Sequence, residues 1–254
     1  MGLQQLTLET GLNKVEVALL RIKEFEPPEG YRLAFSGGKD SIVIYDLAVK
    51  SGVSFEPHYA RTGIDPPELV YFIRENYPDT IYDKPEKSIW EWVEKKGLPR
   101  RQARWCCEKL KEPHGWGSRL ITGIRWAESA RRKRRMMFEY CNKNKTTTYL
   151  HPIIDWSNQE VWEYIRTVGL PYCSLYDNGH KRLGCVLCPM ETAAQSLRDI
   201  QEYPKLAEAW YRAGERYYNR DFECVRRWAT YDDMWEWWIS RKGESNENQC
   251  VMFE

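Results

Sequence analysis

Alternation is the feature that most restricts this chain. From residue 31 onward, short apolar runs suited to strands take turns with longer runs of helical period. YRLAFS is followed by DSIVIYDLAVKSG, VSFEPHYAR by PPELVYFIRENY, and the pair RLITGIR and TTYLHPIIDW by NQEVWEYIRTVG. The helical runs carry boundary signals of their own. Gly52 closes the first, proline opens the second, and Ser157 with Glu160 forms a capping box for the third. SIWEWVEKKG predicts one more helix. Strands joined through helices pair in parallel. The expected fold class is therefore α/β, a mostly parallel sheet with helices on both faces. Residues 7–25 predict an amphipathic helix ahead of the first strand, ended by EPPEG.

From about residue 170 the pattern changes to loops, cysteines and Trp-rich helices, as in AEAWYRAGERYYNRDF and DDMWEWWISRKG. The expected organisation is a nucleotide-binding domain over residues 1–190 and a helical, Trp-rich extension over 191–254 that ends in a mobile tail. A chain of 254 residues can bury a substantial core. Its net charge of +1 creates no global field for nucleic acid or membrane. No apolar run has the length of a membrane span, and MGLQQLTLETG lacks a signal-peptide core. A soluble, cytoplasmic protein without a membrane partner is expected. The dense basic cluster RRKRR at 131–135 is either a solvated helix face or an anion-binding surface, with Arg131 and Arg132 directed inward. His58, His114, His151 and His180 form no spaced ligand set.

The stretch LAFSGGKDSIVIYDL places Ser36, Gly37, Gly38, Lys39, Asp40 and Ser41 between a strand and a helix. Glycines there let backbone N–H groups face a phosphate, the helix dipole adds favourable potential, and Lys39 adds a charge. The spacing is not that of a Walker A loop, because Asp40 follows the lysine, and the dinucleotide fingerprint would need a third glycine. Arg125 stands at the end of the strand RLITGIR. Strand C-termini of an open parallel sheet face the ligand crevice, where a guanidinium binds phosphate or sulfate oxygens.

Eight cysteines in a reducing compartment point to metal or redox chemistry rather than a disulfide framework. Cys106 and Cys107 are adjacent in RWCCEKLKEP, and Cys185 and Cys188 form a C-x-x-C in RLGCVLCPM. Brought together, the two pairs make four soft ligands, suited to zinc or to an iron–sulfur cluster.

The hexapeptide at 36–41 resembles the pyrophosphate-binding loop of the adenine nucleotide alpha-hydrolase (PP-loop) superfamily. That superfamily contains N-type ATP pyrophosphatases, tRNA-thiolating enzymes and the adenylyl-sulfate (APS) and phosphoadenylyl-sulfate (PAPS) reductases. The tandem cysteines followed by a C-x-x-C resemble the four-iron, four-sulfur reductases, with Lys109 and Lys111 where that family carries basic residues. ITGIRWAESARR resembles the family's Gly-x-Arg-x-x-(Glu/Gln)-Ser-x-x-Arg segment at Gly123, Arg125, Glu128, Ser129 and Arg132. HPIIDWSNQEVWEYI, YARTGIDPPEL and PYCSLYDNGHKRLGC, with Tyr176 and Gly184, resemble further family segments. The resemblance covers roughly residues 30–190.

It implies a nucleotide site at Ser36, Gly37, Gly38, Lys39, Asp40, Ser41, Gly123, Arg125 and Arg132. It also implies a 4Fe-4S cluster, with zinc as the alternative, on Cys106, Cys107, Cys185 and Cys188. The implied reaction is attack of a cysteine thiolate on APS or PAPS, loss of an adenosine phosphate, and release of sulfite by a thioredoxin-like reductant. The family's Glu-Cys-Gly-x-His nucleophile segment is not in this sequence. Cys250 in NENQCVMFE is the candidate nucleophile, and Cys224 in FECVRRW is the second. Cys141 and Cys173 rank below both. Two alternatives remain open. One is an ATP-dependent sulfurtransferase or thiolation enzyme acting on nucleic acid, for which RRKRR offers a surface. The other is a nucleotide- and cluster-binding protein without turnover.

Overall fold

The computed structural model describes residues 2–4, 6, 11–143, 145–220 and 223–241, with the side chains of 113, 114 and 224 excepted. It divides into two units that interleave along the chain rather than meeting at one cut near residue 190. The first comprises residues 1–60, 67–83 and 113–183, the second residues 61–66, 84–112 and 184–254. Among the described residues no helix is long and apolar enough to cross a membrane.

The first unit is built on a six-stranded sheet. Its strands are β1 (Tyr31–Ala34), β2 (Phe55–Ala60), β3 (Ile81–Asp83), β4 (Arg119–Ile121), β5 (Phe138–Tyr140) and β6 (Thr148–Leu150). They lie in the order β3-β2-β1-β4-β6-β5. Every pairing is parallel except that of β5 with β6, so the expected mostly parallel α/β architecture is present. The helices are α1 (Lys14–Glu24), α2 (Lys39–Ser51), α3 (Pro67–Asn76) and α6 (Asn158–Val168). Alternate side chains of β1 point into a core that α2 and α6 complete, with Leu33, Ile42, Ile44, Leu47, Ile121, Leu150 and Ile165 buried. Gly52 ends α2 in the left-handed conformation, and Ser157 and Glu160 cap α6 reciprocally. The first helix is shorter than the pattern over 7–25 predicts. It begins at a capping box of Asn13 and Glu16, and residues 7–10 lie outside the described residues.

Two strands escape the periodicity, β3 and β5. Each is three residues long, as β4 and β6 are, but lacks the longer apolar run in which RLITGIR and TTYLHPIIDW place those two. β3 is tied in by side chains: Arg32 pairs with Asp83, and His58 Nδ1 lies 3.1 Å from Asp83 Oδ1.

The second unit is helical, with α4 (Ile89–Lys96), α5 (Trp105–Leu110), α7 (Ala193–Glu202), α8 (Pro204–Tyr218) and α9 (Tyr231–Ser240). Its core is aromatic. Trp210 and Trp238 are fully buried with ring centroids 5.4 Å apart, and Trp90 meets Trp210 edge-on at 5.4 Å. The Trp238 indole N–H donates to the Pro99 carbonyl at 2.7 Å, so the ring is both packed and anchored.

Candidate functional site

The strand order sets the first feature. β1 has β2 on one side and β4 on the other, so the chain reverses direction across the sheet between them. The exits of β1 and β4 flank that switch point, where open parallel sheets bind ligands. The exit of β1 is the turn Ser36–Gly38. Gly37 takes φ +67°, and a Cβ there would lie 2.7 Å from Ile73 Cγ1 and 2.8 Å from Leu69 Cδ1. Both are buried residues of α3, so only glycine fits. Gly38 is the N-cap of α2 and offers no side-chain cap. Ser41 Oγ accepts from the Ser36 N–H at 3.2 Å and donates to the Gly38 carbonyl at 2.9 Å, fixing the turn from within. The first amide of α2, Lys39 N–H, donates to the Tyr176 hydroxyl at 2.9 Å. That oxygen sits where an anion at a helix N-terminus would sit. Burial raises the Tyr176 pKa, so the hydroxyl keeps its proton. Tyr176 stands far along the sequence from this turn, and only its place within the resembling segment PYCSLYDNGHKRLGC marked it.

The charges at the turn are organised around Asp40. Lys39 is 6% exposed and its Nζ lies 3.0 Å from Asp40 Oδ2. Arg125, 1% exposed, donates from Nε to Asp40 Oδ1 at 2.7 Å. Its remaining nitrogens reach the Trp156 carbonyl and Asn158 Oδ1, each at 3.2 Å. Arg125 therefore works as a strut inside the protein. Two cations share one carboxylate, which leaves the turn net positive. Gly123 makes this approach possible: a Cβ there would lie 2.8 Å from Asp40 Cβ and 2.9 Å from its carbonyl carbon. Arg132 pairs with Glu128, while Arg131, Lys133 and Arg134 are exposed.

The second feature lies in the helical unit. Cys106 and Cys107 occupy the first turn of α5, and Cys185 and Cys188 begin the segment that leads to α7. The four thiols are neighbours, close enough that the charges of Cys107, Cys185 and Cys188 all act on Cys106. The Cys106 thiol donates to Cys107, which lowers the Cys107 pKa to about 5, and Arg104 and Lys111 add to that effect. Arg104 Nη2 lies 3.3 Å from Cys107 Sγ. The same hydrogen bond, together with burial, pushes Cys106 up. Burial and then the Asp65 carboxylate raise Cys185, and burial raises Cys188. Cys185, when ionised, is the chief cause of a raised Lys111 pKa. The shared hydrogen bond and burial thus leave one thiolate beside three reluctant thiols, and a cation among them would favour ionisation of all four. The donor set thus fits a soft metal or an iron–sulfur cluster in its chemistry. Among the described residues, however, no group of three or more His, Cys, Asp or Glu side chains is arranged to hold a metal ion.

The remaining cysteines divide. Cys173 is buried and Cys141 half-buried, and burial raises the Cys173 pKa. The backbone of Cys224 lies in a short 3-10 turn, Glu223–Val225. Cys250, the candidate nucleophile, lies outside the described residues.

The family model of the phosphoadenosine phosphosulfate reductase domain matches residues 30–191. The chain belongs to that family. Over 80% of its length it is 31% identical to an uncharacterised protein of Methanocaldococcus jannaschii, of which it spans 51%. The chain thus covers about half the length of this archaeal relative. It is 27% identical to an adenosine 5'-phosphosulfate reductase of Oceanobacillus iheyensis, over 64% of the chain and 72% of that protein. It is 29% identical to a probable FAD synthase of Schizosaccharomyces pombe, over 73% of the chain and 68% of that protein. Its fold is similar to that of the phosphoadenylyl-sulfate reductase of Candida auris, solved as a phosphate complex. The TM-score is 0.51 at 21% identity, covering 70% of this chain and 90% of that one.

Proposed function

We propose that the protein reduces an adenylated sulfate, APS or PAPS, to sulfite at the expense of a thioredoxin-like dithiol, releasing an adenosine phosphate. The observation that carries this reading is the gathering of Cys106, Cys107, Cys185 and Cys188 in a chain that also has the β1–α2 turn of the family.

The turn would bind the phosphate and sulfate oxygens through the amides at the start of α2 and through Lys39. Asp40 holds Lys39 in place beforehand, so charge that develops on the leaving phosphate meets a cation already oriented. In the proposed reaction the Cys250 thiolate attacks the sulfonate sulfur. An S–S bond forms, the S–O bond to phosphate breaks, and the adenosine phosphate leaves with that electron pair. One thiolate of the dithiol then attacks the enzyme's sulfur and expels sulfite. Its second thiol resolves the mixed disulfide, and the dithiol ends oxidised with Cys250 restored as a thiol. Cys106, Cys107, Cys185 and Cys188 would hold a 4Fe-4S cluster or, alternatively, zinc; the bound group would supply a fixed local charge and bind the two halves of the cysteine set together.

A second reading is an ATP-using transferase, including thiolation of nucleic acid. The similarity to a probable FAD synthase and the exposed Arg131, Lys133 and Arg134 favour it. Anaerobically purified protein incubated with APS, PAPS or ATP separates the two. Sulfite release that needs a dithiol and is lost in Cys250→Ser supports the reductase. Release of pyrophosphate or AMP from ATP, dependent on tRNA or DNA, replaces it with the transferase. Nucleotide binding with neither release leaves a binding protein. Visible brown absorption distinguishes iron–sulfur from zinc.

A further inference from the structure

The segment carrying Cys185 and Cys188 is held by its backbone from several directions. Leu187, between the two cysteines, is fully buried and has φ +59°, a conformation that residues with a branched side chain rarely adopt. Its N–H donates to Asp199 Oδ2 of α7 at 2.7 Å. Asp199 is 4% exposed, and its other oxygen accepts from Gln195 Nε2 at 2.8 Å. The carbonyls of Leu187 and Cys188 both accept from Arg241 Nη2, each at 3.2 Å. Arg241 follows α9 in the left-handed conformation at φ +53°, so its side chain folds back. Its guanidinium lies 4.6 Å from the centre of the Trp238 ring, the ring anchored on Pro99. Val186 N–H reaches the Ile64 carbonyl at 2.8 Å. An unusual conformation held by a buried carboxylate and a stacked guanidinium is over-determined, as strained segments at functional sites are.

We propose that Asp199 and Arg241 are positioning residues for the thiol site: they set the spacing and exposure of Cys185 and Cys188. The Trp-rich helices α7–α9 then belong to that site rather than being an appendage. The anchored Trp238 is the platform that keeps Arg241 on the two carbonyls. This inference rests on reading the four cysteines as one functional set.

The test uses Arg241→Met, Arg241→Lys and Asp199→Asn in the full chain, prepared metal-free under anaerobic conditions. The first measurement is alkylation by iodoacetamide, resolved by site with mass spectrometry and referred to Cys141, which lies in the sheet unit. Arg241→Met and Asp199→Asn should raise the rates at Cys185 and Cys188 relative to Cys141 by about tenfold, and Arg241→Lys, which can still donate to a carbonyl, should fall between them and the wild type. The second measurement is titration with Co²⁺, read by sulfur-to-cobalt charge-transfer absorption. The same two variants should bind about tenfold to hundredfold more weakly, the range seen when groups orienting metal ligands are removed. Unchanged alkylation ratios and unchanged cobalt affinity in folded variants overturn the proposal, even if their melting temperatures fall. Should Arg241→Met lose its circular dichroism signal, Asp199→Asn and Arg241→Lys decide by the same ratios. If the wild type takes up no cobalt while the alkylation shifts appear, the metal reading fails and the positioning role stands.

Discussion

Gly37→Ala should destabilise the protein by about 2–4 kcal/mol, while Gly38→Ala beside it should change stability by no more than about 1 kcal/mol. At φ +67° a Cβ-bearing residue costs about 1–2 kcal/mol, before any contact is considered. The added methyl would then press on Ile73 at 2.7 Å and Leu69 at 2.8 Å, both buried, and overpacking of that kind costs about 1–3 kcal/mol. Reduced freedom of the unfolded chain offsets about 0.4–1 kcal/mol of this. Gly38 sits at φ −78°, and a Cβ there meets Ser36 Oγ at 3.4 Å and Tyr176 Oη at 3.5 Å, ordinary contact distances. Urea unfolding followed by circular dichroism reads both variants, and thermal melting should fall on the order of 10 °C for Gly37→Ala. The proposed anion site adds a contrast. Gly38→Ala should remain folded yet bind pyrophosphate more weakly, because its methyl enters the cradle beside Tyr176. A Gly37→Ala protein with the wild-type midpoint would refute the left-handed, α3-backed turn on which this reasoning depends.

Three more outcomes follow from named contacts. Asp40→Asn removes the carboxylate shared by two buried cations and should cost about 3–5 kcal/mol in urea unfolding; a loss below 1 kcal/mol, on the order of an exposed pair, would show that Lys39 and Arg125 do not depend on it. Burial, and next the Arg135 charge, lower the His151 pKa from 6.5 to about 4. The unfolded chain therefore binds this proton first, so the contribution is complete above pH 6.5 and is lost as pH falls toward 4, about 3 kcal/mol in all. His151→Gln should flatten that acid limb, and an unchanged slope would rule the histidine out as its source. In metal-free protein at pH 6, Cys107, with its pKa near 5, should alkylate ahead of Cys141; equal rates would mean that its thiolate is not held.

The elements that were legible in the sequence are those whose signals are local. β1, α2, β2, α3, β4 and α6 each combine a run of one period with a stop that acts through neighbouring residues, such as Gly52 or the Ser157–Glu160 box. β3 and β5 were illegible because neither lies in an apolar run as long as the one around β4, and α5 because WCCEKL has no helical stripe. Arg125 shows where the reading of a single site residue stops. Its position at the end of β4 was readable, since strand exits face the ligand crevice. Its use was not, because whether a guanidinium faces a ligand or a carboxylate depends on what Gly123 lets approach it.

By itself the sequence determined the α/β class, the glycine turn between strand and helix at 36–41 and the two cysteine pairs, because backbone angles, helix caps and thiol chemistry act over a few neighbouring residues. Tertiary structure alone decided that Asp40 is shared by Lys39 and Arg125, that Tyr176 takes the first amide of α2, that burial and the Asp65 carboxylate raise the Cys185 pKa, and that Asp199 and Arg241 grip the turn at Leu187. Each of those joins residues far apart in the chain, and their energies arise from burial and charge brought together only by folding.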